Sequence, residues 1–195
     1  MAVGRPRDAS VEDKVLGAVR ALLAQHGYAG LRIDEVAAHS GVAKTTIYRR
    51  WPSLAHLVVA AVVDLVGERD LTPVGDPEQD LRTASRVGLV SLRDAGPGVA
   101  ALAMEVHRQS DDELRRAYRA ALIDPVREAI ASAIRAGQAS GTFRAGADAY
   151  VTTDALVGAA VYRLVILHES PDDQDMDALL DVVLSGLRGQ GRLPD

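Results

Sequence analysis

Residues 27–57 read GYAGLRIDEVAAHSGVAKTTIYRRWPSLAHL, and this stretch decides the predicted fold. Ile33, Val36 and Ala37 recur at helical spacing, so they share one buried face of a short helix. Gly41 follows, at a point where a residue without a Cβ adopts a positive φ at little cost and the chain can reverse in a tight turn. The pattern predicts a first short helix, a turn at the glycine and a second helix directly behind it.

The second short helix carries a face that is both cationic and hydroxylic. Ile47 points inward at its middle, while residues at i, i+1, i+4 and i+5 project from the opposite face. These outward residues, with Thr46 beside them, are Lys44, Thr45, Tyr48 and Arg49. Lys and Arg bind phosphates or guanine edges, and Thr contacts base edges or the thymine methyl group. The two helices therefore predict a helix-turn-helix that reads double-stranded DNA with these five residues.

The segment resembles the DNA-binding domain of the TetR family of transcriptional regulators over residues 8–60. The matching positions are 27–28, 33–37, 41–42, 46–48 and 51–53. Two positions depart from the family pattern, since Ala43 stands where Ser is common and Ala55 where a Lys often contacts phosphate. The resemblance implies nine or ten helices, a homodimer on a pseudo-palindromic operator, and a small-molecule effector that changes the spacing of the two reading heads.

The charge of the chain is distributed unevenly. The chain has 195 residues and a net charge of −5, a sign that opposes DNA binding. Residues 1–56 hold eight Lys or Arg against five Asp or Glu, a net charge of +3, and the remainder holds 14 against 22, a net charge of −8. The basic charge coincides with the motif, which favours a phosphate-facing surface there, with chance clustering as the alternative.

Further basic residues precede and flank the motif. Arg5 and Arg7 lie in a short arm ahead of the first helix, which is predicted to start at a capping box beginning with Ser10. Such an arm either enters the adjacent minor groove, where narrow A·T segments attract Arg, or stays a solvated tail. Together with Arg32, these arginines complete the predicted DNA-binding set.

Beyond the motif the chain is predicted to continue as longer helices. No β-rich stretch is present, and Pro and Gly punctuate the chain at helix-length intervals. After the first helix, the predicted helices cover about residues 33–39, 43–50, 53–69, 76–94, 99–108, a stretch from 111 that restarts at 124–125 and ends at 138, then 147–168 and 176–188. The predicted fold class is all-α, with a three-helix DNA-binding domain at 1–52 and a ligand-binding and dimerisation domain at 53–195.

The last two predicted helices carry more apolar surface than one small core requires. The residues predicted to form a dimer interface are Ala155, Gly158, Ala159, Tyr162, Leu179, Leu180, Val183, Leu184 and Leu187. In the family such a helix pair packs against its symmetry mate as a four-helix bundle, which implies a two-fold homodimer with recognition helices about 34 Å apart. The alternative is that these faces are used in the intrachain core.

The effector site is predicted from polar or soft side chains on otherwise apolar helices. The candidates are Met104, His107, Arg108, Tyr118 and Tyr162. Each has an ordinary alternative: core packing for the methionine, solvation or ion pairing for the arginine, and the dimer seam for Tyr162. Walls rich in Ala, Val and Leu favour an apolar or amphipathic organic ligand.

No catalytic pattern stands out. The five histidines lack metal-type spacing, cysteine is absent, and neither a nucleophile elbow nor a phosphate-binding glycine loop is present. We therefore predict no catalytic residue, metal or cofactor. The absence of a signal peptide or an apolar run long enough for a membrane span predicts a cytoplasmic protein.

The predicted function is a ligand-responsive DNA-binding regulator, more specifically a repressor that a small molecule releases from its operator. Two alternatives stay open. One is a helical small-molecule-binding protein whose DNA reader is vestigial, and the other is an enzyme whose site is assembled from distant residues.

Overall fold

The computed structural model describes residues 6–94, 111–169 and 172–188, and these ranges contain helices and turns but no strand. The helices are α1 (Pro6–Gly30), α2 (Ile33–Ser40), α3 (Lys44–Arg50), α4 (Leu54–Val66), α5 (Pro77–Asp94), α6 (Asp112–Tyr118), α7 (Asp124–Ser140), α8 (Ala149–Val161) and α9 (Asp173–Leu187), with π-helical turns π1 (Arg119–Ile123) and π2 (Tyr162–Ile166). The all-α prediction is confirmed. The helix predicted at about 99–108 lies outside the described residues.

The chain divides into two compact units. The first comprises Met1–Gly67 and Ala95–Ala121, and the second comprises Glu68–Asp94 and Leu122–Asp195. The predicted boundary after residue 52 falls inside the first unit, because α4 packs on both α1 and α6. The helix that follows the DNA reader is thus part of the reader's own core.

The start of α1 differs from the prediction. The helix begins at Pro6, four residues before the expected cap at Ser10. The predicted irregular arm is therefore already helical from residue 6. Near the other end, Gly27 has φ 64° and kinks the helix before Tyr28.

Most of the apolar face of α4 is buried. Ser53 caps the helix by accepting a hydrogen bond from the backbone N–H of His56 at 3.3 Å. Leu57 and Val58 are fully buried. Leu65 continues this face but is 47% exposed, since it is the next-to-last residue of the helix, where the core of the first unit no longer covers it.

The second unit packs α5, α7, α8 and α9 around one apolar core. Its members include Leu81, Ile130, Ile134, Phe143, Leu156, Met176, Leu180, Leu184 and Leu187. On the surface, three guanidinium groups of α5 bind three aspartates of α9 in antiparallel order. These pairs are Arg82 with Asp181 at 2.8 Å, Arg86 with Asp177 at 2.6 Å and Arg93 with Asp173 at 3.3 Å.

The chain stays helical where a break was predicted at Asp124–Pro125. Proline lacks an N–H, and its ring collides with the carbonyl four residues earlier, so a regular α-helix is kinked or broken at this point. The chain instead passes through π1, whose wider turn accommodates the proline at the start of α7. Arg69 Nη1 donates to the carbonyl of Leu122 at 2.9 Å and so satisfies an acceptor within this turn.

The last two predicted helices are present with shifted ends. α8 starts at Ala149, after Asp148 as its cap, and gives way to π2 rather than continuing as one α-helix. α9 starts at Asp173, three residues earlier than predicted, because Asp172 and Asp175 form a reciprocal capping box.

Candidate DNA-binding interface

The turn between α2 and α3 is built as the sequence predicts. Gly41 adopts φ 69° and ψ 18°, the left-handed conformation that ends α2. The backbone N–H of Val42 donates to Ser40 Oγ at 3.3 Å, and Ala43 serves as the extended N-cap of α3. The turn thus starts the second helix within three residues of the end of the first.

Burial fixes which face of α3 is available to DNA. Ile47 and Val36 are fully buried and anchor α3 and α2 in the first unit. Opposite Ile47, the side chains of Lys44, Thr45 and Arg49 are exposed, Tyr48 is 47% exposed, and Thr46 is half-buried. The structure therefore brings the five predicted contact residues of this helix to one side of the reader or to its edge.

The three cations of α3 differ in what they bind within the chain. Lys44 Nζ forms an ion pair with Asp34 Oδ1 of α2, and both side chains are largely exposed. Arg50 Nη1 donates to Glu12 Oε2 of α1 at 3.1 Å. Arg49 has no ion-pair partner among the described residues. Of the two arginines, Arg49 is free to reach a phosphate or a base, whereas Arg50 ties α3 to α1.

The remaining predicted DNA-binding residues lie away from α3. Arg32 is the exposed N-cap of α2, and its Nη1 donates to the carbonyls of Ala29 at 2.9 Å and Leu31 at 3.0 Å. These bonds use one nitrogen and leave the rest of the guanidinium available. Arg5 lies outside the described residues, and for Arg7 the structure describes the helical backbone alone.

A hydrogen-bonded contact behind the reader was not predicted. Tyr28 Oη donates to Asp111 Oδ2 at 2.7 Å, and Ser53 Oγ donates to Glu113 Oε1 at 3.1 Å. Burial and the neighbouring Asp111 carboxylate raise the pKa of Tyr28 above its ordinary value. The N–H of Leu114 and then the Tyr28 hydroxyl lower the pKa of Asp111. The start of α6 is therefore joined to the end of α1 and to the start of α4.

Ser53, His56 and Glu113 meet without forming a catalytic relay. Ser53 Oγ lies 2.9 Å from His56 Nδ1, and Glu113 Oε1 lies 3.1 Å from the same nitrogen. A nucleophilic triad needs the serine and the acid on opposite ring nitrogens, so that one receives a proton while the other orients the ring. The arrangement is a capping and pairing cluster at the start of α4.

The predicted effector residues are only partly described. Tyr118 is 6% exposed on α6, which packs on α4, and burial raises the pKa of its hydroxyl. Tyr162 lies in π2 and is 53% exposed. Met104, His107 and Arg108 lie outside the described residues. The second unit also carries a surface depression of about 550 Å³ at the start of α5, and neither Tyr118 nor Tyr162 lines it.

The predicted dimer residues separate into two sets. Leu180, Leu184 and Leu187 are at most 2% exposed and fill the core of the second unit, which favours for these three the alternative that they are used in the intrachain core. The spacing of apolar residues shows that a helix face is buried, but it does not show whether that face packs within the chain or against a second copy. The exposed or half-buried set consists of Ala155, Gly158, Ala159, Tyr162, Leu179 and Val183. Val151, Ile166 and Val182, which the sequence analysis missed, are each more than half exposed nearby on α8, π2 and α9.

Comparisons with known proteins agree with this architecture. The family described as "Bacterial regulatory proteins, tetR family" matches residues 15–61, and the family described as "Tetracyclin repressor-like, C-terminal domain" matches residues 71–183. The HTH-type transcriptional regulator Mb1581 of Mycobacterium bovis is 32% identical over 193 residues, which cover 92% of this chain and 91% of that protein. Within the described ranges, no helix is long and apolar enough to cross a membrane.

Two solved structures illustrate the similarity. The TetR family transcription regulator SCO0332 is 33% identical, with a TM-score of 0.59 over 91% of this chain and 98% of that chain. FadR from Bacillus subtilis, solved in complex with stearoyl-CoA, is 18% identical, with a TM-score of 0.66 over 92% of this chain and 98% of that chain, and shows likeness of fold alone. The resemblance seen in the sequence is confirmed: the chain belongs to the TetR family and is a DNA-binding transcriptional regulator.

Proposed function

We propose that this regulator is a repressor that occupies a pseudo-palindromic operator as a homodimer and leaves it when a small molecule binds. The observation that carries the proposal is the exposed face of α3 opposite the buried Ile47. That face combines hydroxyls, an aromatic hydroxyl and Arg49, whose guanidinium has no ion-pair partner among the described residues. A bacterial operator lies in the cytoplasm, which is where the protein acts.

The contact residues divide by chemistry. Lys44 and Tyr48 bind backbone phosphates, and Arg32 approaches the flanking backbone from the start of α2. Thr45, Thr46 and Arg49 lie where a recognition helix meets base edges, and Arg pairs best with guanine O6 and N7. Arg5 and Arg7 follow the adjacent backbone or minor groove. Two heads placed by a two-fold axis then read two half-sites one helical turn apart.

The proposed dimer surface consists of the exposed apolar residues of α8, π2 and α9. Gly158 has no atom within 4 Å of the position of a Cβ, so a partner helix can approach its backbone closely. Tyr162, four residues further along the chain, is 53% exposed, and Ile166 is 58% exposed. Covering such side chains removes apolar surface from water, which favours association.

The proposed effector is an apolar or amphipathic organic molecule. Met104, His107, Arg108, Tyr118 and Tyr162 are the candidate contacts. An effector shifts the equilibrium only by the difference between its affinities for the operator-bound and released states. Stearoyl-CoA, the molecule found in FadR, is a sensible first probe of the amphipathic class.

Genomic selection of bound DNA fragments by the purified protein tests the proposal. We expect recovery of fragments with two related half-sites about ten base pairs apart and an affinity that falls steeply with salt, as counterion release requires. Lys44→Ala/Tyr48→Ala should weaken binding to all fragments, whereas Arg49→Ala should relax sequence preference. Recovery of no fragment, or salt-independent binding, would favour the small-molecule-binding protein with a vestigial reader.

A further inference from the structure

We propose that Asp111 and Glu113, at the start of α6, are positioning residues for DNA reading, although they lie far outside the helix-turn-helix in the sequence. The inference rests on the proposed function and extends it to a contact that the reading helices do not contain. We call the contact the clasp and define it as Asp111 and Glu113 with Tyr28, Ser53 and His56.

The clasp contacts the reader at two points of the chain, one just before α2 and one just after α3. Tyr28, which precedes α2, donates to Asp111 Oδ2 at 2.7 Å. Ser53, which follows α3, donates to Glu113 Oε1 at 3.1 Å, and His56 Nδ1 lies 3.1 Å from the same oxygen. Because the chain enters and leaves the α2–α3 pair at these two points, fixing both of them fixes how the pair is presented.

The clasp is bonded to elements that are themselves firmly held. Asp111 is the N-cap of α6 and accepts from the N–H of Leu114 at 2.9 Å, and Leu114 is fully buried. Ser53 is the N-cap of α4. Hydrogen bonds to a carboxylate are stronger than neutral ones. A change in α6 therefore moves capped helix ends rather than loose side chains.

A structural role and a positioning role predict different binding patterns. If the clasp only supports the fold, its loss weakens binding to every DNA. If it sets the presentation of the reader, its loss weakens binding to a duplex with two half-sites, which both heads must meet at once, and leaves a single half-site nearly unaffected. The ratio of the two affinities is therefore the decisive quantity.

The chain offers a matched control. Tyr150 Oη donates to Glu128 Oε2 at 2.7 Å, the same kind of bond at the same length, but in the second unit. Tyr150→Phe thus removes an equivalent hydroxyl without touching the clasp. Trp51, the single tryptophan of the chain, is 8% exposed between α3 and α4 and reports independently whether the core of the reader stays folded.

The experiment compares the wild type, Tyr28→Phe/Glu113→Gln and Tyr150→Phe as full-length proteins. The DNA probes are the strongest fragment from the genomic selection and a duplex carrying one of its half-sites. We expect the clasp double variant to bind the fragment about tenfold more weakly, equivalent to about 1.4 kcal/mol, and the half-site within about twofold of wild type. Tyr150→Phe should match the wild type on both probes.

Hydrogen exchange of residues 31–50 in the free proteins provides a readout that does not depend on DNA. We expect faster exchange in the clasp double variant, with unchanged Trp51 emission. Equal losses on both duplexes would assign the clasp a merely structural role, and unchanged affinities or unchanged exchange would overturn the proposal. If the wild type selects no fragment, the proposed function fails, while the exchange measurement still decides whether the clasp holds the reader.

Discussion

Replacing Gly137 by Ala should destabilise the second unit, because Gly137 lies directly against the only phenylalanine of the chain. A Cβ at this position would lie 2.0 Å from Cδ2, 2.5 Å from Cε2 and 2.8 Å from Cγ of Phe143. Carbon atoms pack at about 3.5–4.0 Å, so the ring would have to retreat by about 1.5 Å. Phe143 is 3% exposed, and its N–H donates to the Gly137 carbonyl at 2.9 Å, which leaves little freedom to retreat.

The expected net loss in the free energy of unfolding is about 2 kcal/mol. Overpacking a core costs about 1–3 kcal/mol, and a Cβ only 2.0 Å from the ring places this variant at the upper end of that range. Alanine recovers up to about 1 kcal/mol through its higher helix propensity in α7. For a chain of this size, such a loss lowers the thermal midpoint by about 4–8 °C. Circular dichroism at 222 nm follows the transition.

Gly17→Ala is the matched control. Gly17 is also helical, in α1, but a Cβ there would meet nothing closer than Arg20 Nη2 at 3.9 Å, an ordinary contact. It should raise the free energy of unfolding by about 0.5–1 kcal/mol through helix propensity alone. A Gly137→Ala variant as stable as Gly17→Ala would refute the reasoning, because it would mean that the Phe143 ring is not seated on Gly137.

Three further predictions concern function. Gly158→Ala should weaken dimerisation while slightly stabilising the isolated helix. Gly146→Ala, which has equally open space but lies in the loop before α8 and outside the proposed dimer surface, should leave the dimer unchanged. Sedimentation at several concentrations measures both, and an unchanged dimer in Gly158→Ala would remove Gly158 from the interface. Asp111 has a lowered pKa in the folded state, so it stabilises the fold at pH values above its unfolded pKa of about 3.9 and loses this contribution as pH falls through the folded value. The free energies of unfolding of wild type and Asp111→Asn, measured as the pH is lowered, should therefore converge at low pH. Parallel curves would contradict this. Asp34→Asn should raise the affinity for random-sequence duplex about two- to fivefold at low salt, because it releases Lys44 from its ion pair. Fluorescence anisotropy measures this affinity, and an unchanged value would show that the ion pair does not compete with phosphate.

The reader could be predicted from sequence because its signals are local. The turn at residue 41 requires a left-handed backbone conformation, which glycine adopts easily, and Ile33, Val36 and Ala37 fall at helical spacing just before it. The residues that decide the motif therefore lie within one short window. The clasp has no such signal. Tyr28 and Asp111 lie 83 residues apart, and a single hydrogen-bonded pair leaves no periodic pattern in either segment.

The second unit shows where periodicity reaches its limit. The stripe that contains Leu180 and Leu184 predicts a buried helix face correctly, but the same pattern serves an intrachain core and a dimer equally well. The π-turns were missed for a related reason. A turn with one extra residue shifts the phase of the pattern without removing it, so α8 and π2 read as one α-helix.

Charge counts alone overstate the number of cationic side chains of α3 that are available to DNA. The sequence places Lys44, Arg49 and Arg50 in one short helix, and all three contribute equally to the net charge of +3 for residues 1–56. In the folded protein Lys44 is paired with Asp34 and Arg50 with Glu12. Binding through Lys44 must therefore replace an existing ion pair, whereas binding through Arg49 need not. Arg49 should consequently contribute the larger share of affinity per cation, and an Arg49→Ala variant should lose more operator affinity than Lys44→Ala at the same salt concentration.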